Sequence, residues 1–414
     1  MIIQHLFPDR LRTLGRIAVG RSERLCEVRS SESEKGDLSV PPTSGSRSNN
    51  IDAIRLLLAL LVVFSHSYPL ATGTYSHEPL SWFSKQRITF GDLAVNWFFV
   101  LSGYLITQSW ERSGNVFVFL QKRLLRIYPA YLVAVSICIW VVIPLSSPWG
   151  LRVYSWQTIT ENVWRILLFR NLSVPEAFLA NPYPRVVNGS LWTIPFEAWC
   201  YLGVVFLGIA SLLRRKWLIA GLFLASLSVS FGFSYFGCQT QGRIFGVIFG
   251  APSLWARLLP YFLSGTVVYL FRDRFRWDGR LASLALVGLI LGLFIPFAIP
   301  VVLPTLGTYL LFYLAFTTDW KWRGAAKYGD FSYGIYLFSH AIQQLLIMWL
   351  GRVVDPLSFF ALSLPPSVLA GVLSWYLVER RFLRKSHEIR KIRPTAGHLA
   401  TSRFADHSKP SVLG

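Results

Sequence analysis

Arg55 and His66 stand eleven residues apart inside Ile51–Leu70, a stretch that is otherwise almost wholly apolar. Eleven steps of ~100° return a helix to nearly the same face, about 16 Å further along its axis. One face thus carries a fixed cation near one end and a titratable imidazole near the other. The first can hold an anion, and the second can move a proton near neutral pH. Ionisable groups are costly in a membrane span and usually face a polar cavity, which makes both residues functional candidates. The plainer reading is that Arg55 snorkels to the head groups and His66 sits at the far interface.

Other polar residues fall at comparable depths. His66 lies four residues from the outer end of its predicted span, and Glu197 lies five residues into a later one. At 1.5 Å per residue these are depths of about 6 and 7–8 Å. If the two helices are neighbours, Glu197 orients the imidazole and stabilises its protonated form, as the partner of a base does. The alternative is a structural ion pair. Near the opposite face comes QKRLLRIYPAY, in which Arg123 and Arg126 share a helical face. With Arg55 they would form an anion site suited to phosphates. Topology signalling alone explains Lys122 well but the intramembrane Arg55 poorly. His340, in GDFSYGIYLFSHAIQQ, shares a face with Tyr333, Tyr336 and Gln344. These are candidate cavity-lining residues, although a lone buried histidine is often only a hydrogen-bonded core residue. Ser102 and Gly103 are small enough to let helices approach closely.

The elements that must position these residues are helices. The 414 residues are 53% hydrophobic and 15% charged, with a mean hydropathy of +0.44, a composition that excludes an ordinary soluble protein. The fold class is all-α, a polytopic bundle of about ten spans: 51–70, 90–108, 128–146, 192–213, 217–236, 254–271, 281–299, 301–318, 333–350 and 358–378. Only Pro300 separates the seventh from the eighth, so these two form a tight hairpin. Of 41 Lys and Arg, 31 fall on the side shared by both tails and 8 on the other. That bias places both termini in the cytoplasm. It also accounts for the net charge of +20, so no nucleic-acid partner is implied. Four cysteines show neither disulfide nor metal spacing, and no metal is expected.

Residues 1–50 read as a disordered cytoplasmic extension, with an upstream misassigned start codon as an alternative. The transmembrane domain occupies 51–379, and 380–414 form a basic cytoplasmic tail. Within the outer loop 147–191, Trp156, Ile159, Val163, Ile166 and Leu167 have helical spacing, so this segment lies along the interface or dips into the bundle. NPYP at 181–184 then forces a turn.

The chain resembles the acyltransferase-3 family of bacterial integral membrane proteins over about residues 50–382. The motifs that carry the resemblance are NNIDAIRLLLALLVVFSHS, NWFFVLSGYLIT, KRLLRIYPAY, GSLWTIPFEAWCY, GDFSYGIYLFSH and SWYLVER, in the family's order. The resemblance implies an integral O-acyltransferase of the inner (cytoplasmic) membrane. It would move an acyl group, commonly acetyl, onto an envelope carbohydrate or lipid-linked glycan at the outer side. No cofactor is expected; acyl-CoA is the expected co-substrate, and membrane lipids are the other partner. Carried over by motif, the essential arginine and histidine are Arg55 and His66. The basic pair is Arg123 and Arg126, the glutamate is Glu197, and the late segment supplies Tyr333 and His340. His66 and Glu197 are the expected catalytic residues; Arg55, Arg123 and Arg126 are the expected donor-binding ones. The family's proline after Glu-Arg is replaced by Arg381, which bears on how the last helix ends. A transporter or glycan flippase without acyl transfer is the rival reading, against which stands the lack of an inverted repeat.

Overall fold

A computed structural model of the chain describes residues 50–113, 115–167, 176–238, 240, 249–317, 328–351 and 354–384. The predicted extension 1–50, apart from Asn50, and the tail beyond Arg384 lie outside the described residues, as does Cys26. The described residues contain helices and no strand.

Eleven helices carry the architecture. They are α1 (Ile51–Thr72), α2 (Phe90–Ser113), α3 (Val116–Ser146), α4 (Trp156–Leu167), α5 (Leu191–Ile209), α6 (Lys216–Tyr235), α7 (Pro252–Leu270), α8 (Gly279–Phe294), α9 (Ile299–Thr317), α10 (Ser332–Leu350) and α11 (Pro356–Arg384). Every predicted span overlaps one of them, although α3 begins twelve residues before the predicted 128–146. Helices α1, α2, α3, α5, α6, α9 and α11 are long and apolar enough to cross a membrane, and the chain is a multi-pass membrane protein. The other three helices at predicted spans, α7, α8 and α10, fall short for two different reasons. Helix α8 has 16 residues, about 24 Å of rise against a hydrocarbon core of about 30 Å. Helices α7 and α10 have 19 residues each but carry Arg257, Ser264 and Thr266, or Ser339, His340, Gln343 and Gln344. Their polar side chains lower the hydropathy because the bundle, not lipid, surrounds them. Twelve residues of α7 and eleven of α10 are buried.

The peripheral helices show the opposite pattern. Helix α6 presents Trp217, Leu222, Leu224 and Phe231, and α8 presents Leu284, Val287 and Leu291, all exposed. In lipid an outward apolar face costs nothing, and the interior is where polar groups collect.

Helix α1 sits centrally, packed on α2, α10 and α11. It ends at Gly73, whose positive φ of 80° suits a glycine. The tightest crossing joins α2 to α7. A Cβ on Gly103 would lie 1.9 Å from the Phe262 carbonyl oxygen, and one on Gly265 would lie 1.9 Å from that of Val100. Only glycine permits this approach, and it brings Asp92 of α2 beside Arg257 of α7. Helices α8 and α9 pack as the expected hairpin, turning at 295–298. Helix α4 forms where the periodicity predicts, with Ile159 and Val163 outward and Asn162 buried. Helix α11 passes through a π-turn at Trp375–Glu379 and continues to Arg384, as it can because Arg381, unlike proline, retains its N–H.

Candidate functional site

The end of the bundle near Ile51 is called proximal here, and the end near Thr72 distal. The predicted site residues separate between two cavities along this axis.

The proximal cavity has a volume of about 120 Å³ and is lined by Arg55, Arg123, Arg126, Glu197, Tyr333 and Tyr336, among others. Arg55 enters from α1, Arg123 and Arg126 from the first half of α3, and the tyrosines from α10. Residues 116–127 are helical, so Arg123 and Arg126 share a face as the spacing implies. The three arginines are brought together, but two of them are already engaged. Arg55 Nη1 donates to Asp330 Oδ2 at 2.5 Å, and Arg126 Nη2 donates to the same oxygen. Arg126 Nη1 also lies 3.9 Å from Glu379 Oε2. Burial pushes the Asp330 carboxyl up, but the guanidiniums of Arg55 and Arg126 outweigh it and hold the group well below the usual carboxylate range. The Ser332 hydroxyl adds a 2.5 Å hydrogen bond to Oδ1. Arg123 is engaged differently: Nη2 donates to Ser109 Oγ at 2.7 Å, while its buried Nε has no partner among the described residues. Lys122 points elsewhere, to Ser113 Oγ at 3.2 Å.

The distal cavity has a volume of about 340 Å³ and is lined by His66, Tyr75, Asp92, Ser190, Trp192, Arg257 and Tyr336, among others. His66 stands six residues before Thr72, at a depth of about 9 Å. Its neighbour is His340, with ring centroids 5.0 Å apart and planes at 85°. Neither Nδ1 has a hydrogen-bond partner among the described residues. Gly189 closes over His340, since a Cβ there would lie 2.7 Å from Nε2. The loop that carries Gly189 is fastened to α10. Asn188 Nδ2 donates to the Leu337 carbonyl at 2.8 Å, and Gln344 Nε2 donates to the carbonyls of Tyr183 and Val186 at 2.8 and 2.9 Å. The turn foreseen at NPYP is therefore what delivers the loop to the histidines. A larger cavity of about 590 Å³ adjoins this one, and Arg87, Ile88, Asp92 and Arg257 line both. Arg257 Nη2 lies 2.7 Å from Asp92 Oδ1, and its guanidinium lies 5.6 Å from the centre of the Trp192 ring.

The expected pairing of Glu197 with His66 does not occur. Tyr201, one turn further along α5, donates its hydroxyl to Glu197 Oε1, and the carboxylate lines the proximal cavity with the arginines. Matching depth fixes a height along the bundle but not the direction in which a side chain points. Of the α10 stripe, Tyr333 donates to the Ile127 carbonyl at 3.0 Å, and the Tyr336 hydroxyl shares a 2.7 Å hydrogen bond with Thr193 Oγ1. His340 is buried behind the cavities rather than lining them.

Val95 and Tyr336 line both the proximal and the distal cavity. They are the partition between a compartment of arginines and a compartment holding a histidine. Sequence reasoning missed Asp330, Glu379 and the Asp92–Arg257 pair. A signal existed for the last, because a lone acid and a lone base fell in different predicted spans near the same end. Among the described residues no His, Cys, Asp or Glu cluster could hold a metal ion.

Comparison with known proteins adds an independent line. The acyltransferase domain of the acyltransferase-3 family matches residues 48–376. The chain is 29% identical to a protein named O-acetyl transferase from Shigella phage Sf6, over 82% of this chain and 97% of that one. It is 25% identical to Nodulation protein 10 of Rhizobium leguminosarum bv. viciae, over 82% of this chain and 94% of that protein. No solved structure matches it.

Proposed function

From the premise that this chain belongs to the acyltransferase-3 family and is an O-acyltransferase, we propose that it moves an acetyl group from cytoplasmic acetyl-CoA to a hydroxyl of an envelope carbohydrate or lipid-linked glycan on the outer side of the inner membrane. The observation that carries this reading is the meeting of the arginine cavity and the histidine cavity at Val95 and Tyr336. The excess of Lys and Arg on the proximal side, 31 against 8, supports a cytoplasmic proximal face, ten crossings and cytoplasmic termini.

A cavity of about 120 Å³ is small beside the ~300–1,000 Å³ of sites that enclose a whole ligand. It takes the narrow pantetheine arm and leaves the nucleotide at its mouth. Arg123, with its unpartnered Nε, makes the first phosphate contact. Arg55 and Arg126 contribute the donors that Asp330 leaves free, since a guanidinium has five N–H groups and can serve two anions. The ~16 Å from Arg55 to His66 suits an extended arm between phosphate and thioester.

At the distal end His66 takes the proton of the acceptor hydroxyl. The oxygen attacks the thioester carbonyl, a C–O bond forms and the C–S bond breaks. CoA leaves as the thiolate and recovers the proton from the imidazolium. His340, edge-on to His66, fixes the plane of that ring. Purified protein supplied with radiolabelled acetyl-CoA and a membrane glycolipid extract should release free CoA and label the glycolipid. Arg55→Ala and Arg123→Ala should weaken donor binding, and Arg55→Lys should recover little, because an ammonium lacks the planar fork. Intact acetyl-CoA after prolonged incubation would leave a transporter as the better reading.

A further inference from the structure

The two distal cavities contain more polar chemistry than proton transfer requires. Asn96 is 3% exposed and Ser190 1% exposed, yet among the described residues Asn96 Oδ1 and Ser190 Oγ have no hydrogen-bond partner, and neither does His66 Nδ1. Buried polar atoms are partnered in more than about nine cases in ten, so three orphans around one pair of joined cavities call for a partner from outside the chain. Asn96 lines the larger cavity, and Ser190 and His66 line the smaller. Asp92 and Arg257, which line both, make the space continuous.

The orphans also define the ligand's chemistry. An amide oxygen accepts a hydrogen bond, while a hydroxyl and a neutral imidazole can each accept or donate. A lipid chain would leave every orphan unsatisfied. A polyhydroxylated ring, with hydroxyls that both donate and accept, satisfies them all, and the guanidiniums of Arg87 and Arg257 on the same walls can donate to its oxygens. Volumes of about 590 and 340 Å³ lie in the range that encloses small organic ligands, and Trp192 supplies a flat apolar wall for the C–H face of such a ring.

We propose that these joined cavities are the acceptor site, and that Asn96, Ser190 and Trp192 hold a pyranose with one hydroxyl presented to His66. The proposal rests on the acetyl-transfer reading for its meaning, but its test does not depend on turnover. Saturation-transfer NMR on the full-length protein in detergent would use methyl β-D-glucopyranoside and N-acetylglucosamine as probes. Both should receive saturation at millimolar concentration. Asn96→Leu and Ser190→Ala should each weaken binding of both sugars about tenfold, the value of one well-placed hydrogen bond, with acetyl-CoA affinity unaltered. Ser190→Ala removes a single atom, so a fold defect in the Asn96 variant would not obscure the outcome. Equal saturation in wild type and variants, or no saturation in the wild type, overturns the site. Acetyl-CoA consumption that continues with sugar binding untouched by these variants sinks the site alone. Sugar binding in a protein that never consumes acetyl-CoA sinks the reaction alone.

Discussion

The proximal and distal cavities share two lining residues and little else. The proximal one is organised by formal charge: Arg55 and Arg126 converge on Asp330, Glu379 stands behind Arg126, and Glu197 faces the same space. Among the described residues the distal one has a single ion pair, Asp92–Arg257, and Arg87 bonded to a carbonyl; its other lining groups are neutral, and two of them, His66 and Ser190, carry unpartnered atoms. A buried charge away from water must be matched within the protein or the fold fails. A neutral amide or hydroxyl costs less to leave open. The ion-pair cluster around Asp330 in the proximal cavity is therefore a frame that stands complete, and the distal cavity is a surface left to be completed by a ligand. Substitutions on the two sides should differ in kind.

The largest effect is expected at Asp330. Asp330→Ala leaves two guanidiniums facing each other, and removing one partner of a buried pair costs about 3–5 kcal/mol. Thermal unfolding in detergent should show a correspondingly large fall in Tm, partly restored by adding Arg55→Ala. The pH dependence follows from the depressed carboxyl. A group whose folded pKa lies below its unfolded value of about 3.9 contributes its full stabilisation above that value and loses it only as pH falls through the folded pKa. Stability from this triad should be level from neutral pH down to about 5 and decline only in stronger acid. A loss between neutrality and pH 5 that vanishes in Asp330→Asn would contradict the charge-matched frame.

His66 comes next. His66→Gln should leave folding and acetyl-CoA binding intact while lowering transfer at least ~100-fold, the lower range for removal of a general base. Glu197→Gln should act on the other quantity and alter donor affinity, because its carboxylate lines the proximal cavity. If both variants changed only the transfer step, the division of labour between the cavities would be wrong.

The positions of the helices were legible in the sequence because hydropathy and helical spacing are local properties. Arg55, Arg123 and Arg126 could be grouped because helical period fixes Arg123 against Arg126, and charge bias places all three near one end. What could not be read was direction around each helix axis. Glu197 and His66 lie at similar depth, yet α5 turns the carboxylate toward Tyr201 and the arginines. Asp330 was hidden differently. It precedes α10 in a loop, where an acidic residue looks solvated, and only packing shows it 13% exposed against two arginines. The low hydropathy of α7 and α10 was itself a message, since a polar helix among apolar ones is a buried helix.

Tyr336 tests the partition itself. Its hydroxyl shares a 2.7 Å hydrogen bond with Thr193 Oγ1, and losing it should cost about 1 kcal/mol. Tyr336→Phe should therefore lower Tm modestly. It should also raise the rate at which CoA is released without transfer to sugar, because the wall between thioester and distal water is loosened. Unchanged coupling in this variant would move the boundary between the cavities to Val95 and its neighbours.

The smallest effect, and the most discriminating, is expected at Asn96. Its Oδ1 is buried without a partner among the described residues, so the folded protein bears the desolvation of that atom and gains no bond from it. Asn96→Leu, close in size, removes the unsatisfied acceptor. In sugar-free detergent the variant should be as stable as wild type within ~0.5 kcal/mol, the usual range for substitutions that break no structural feature, or slightly more stable. That would be the reverse of Asp330→Ala, although both replace a polar side chain at the edge of a cavity. A loss above ~2 kcal/mol, the size seen when a hydrogen-bonded buried group is removed, would show that Asn96 holds the fold together, and that the distal cavity is a closed frame like the proximal one. Equal or greater stability together with weaker sugar binding has one economical explanation: Asn96 is kept for its ligand at no benefit to the fold.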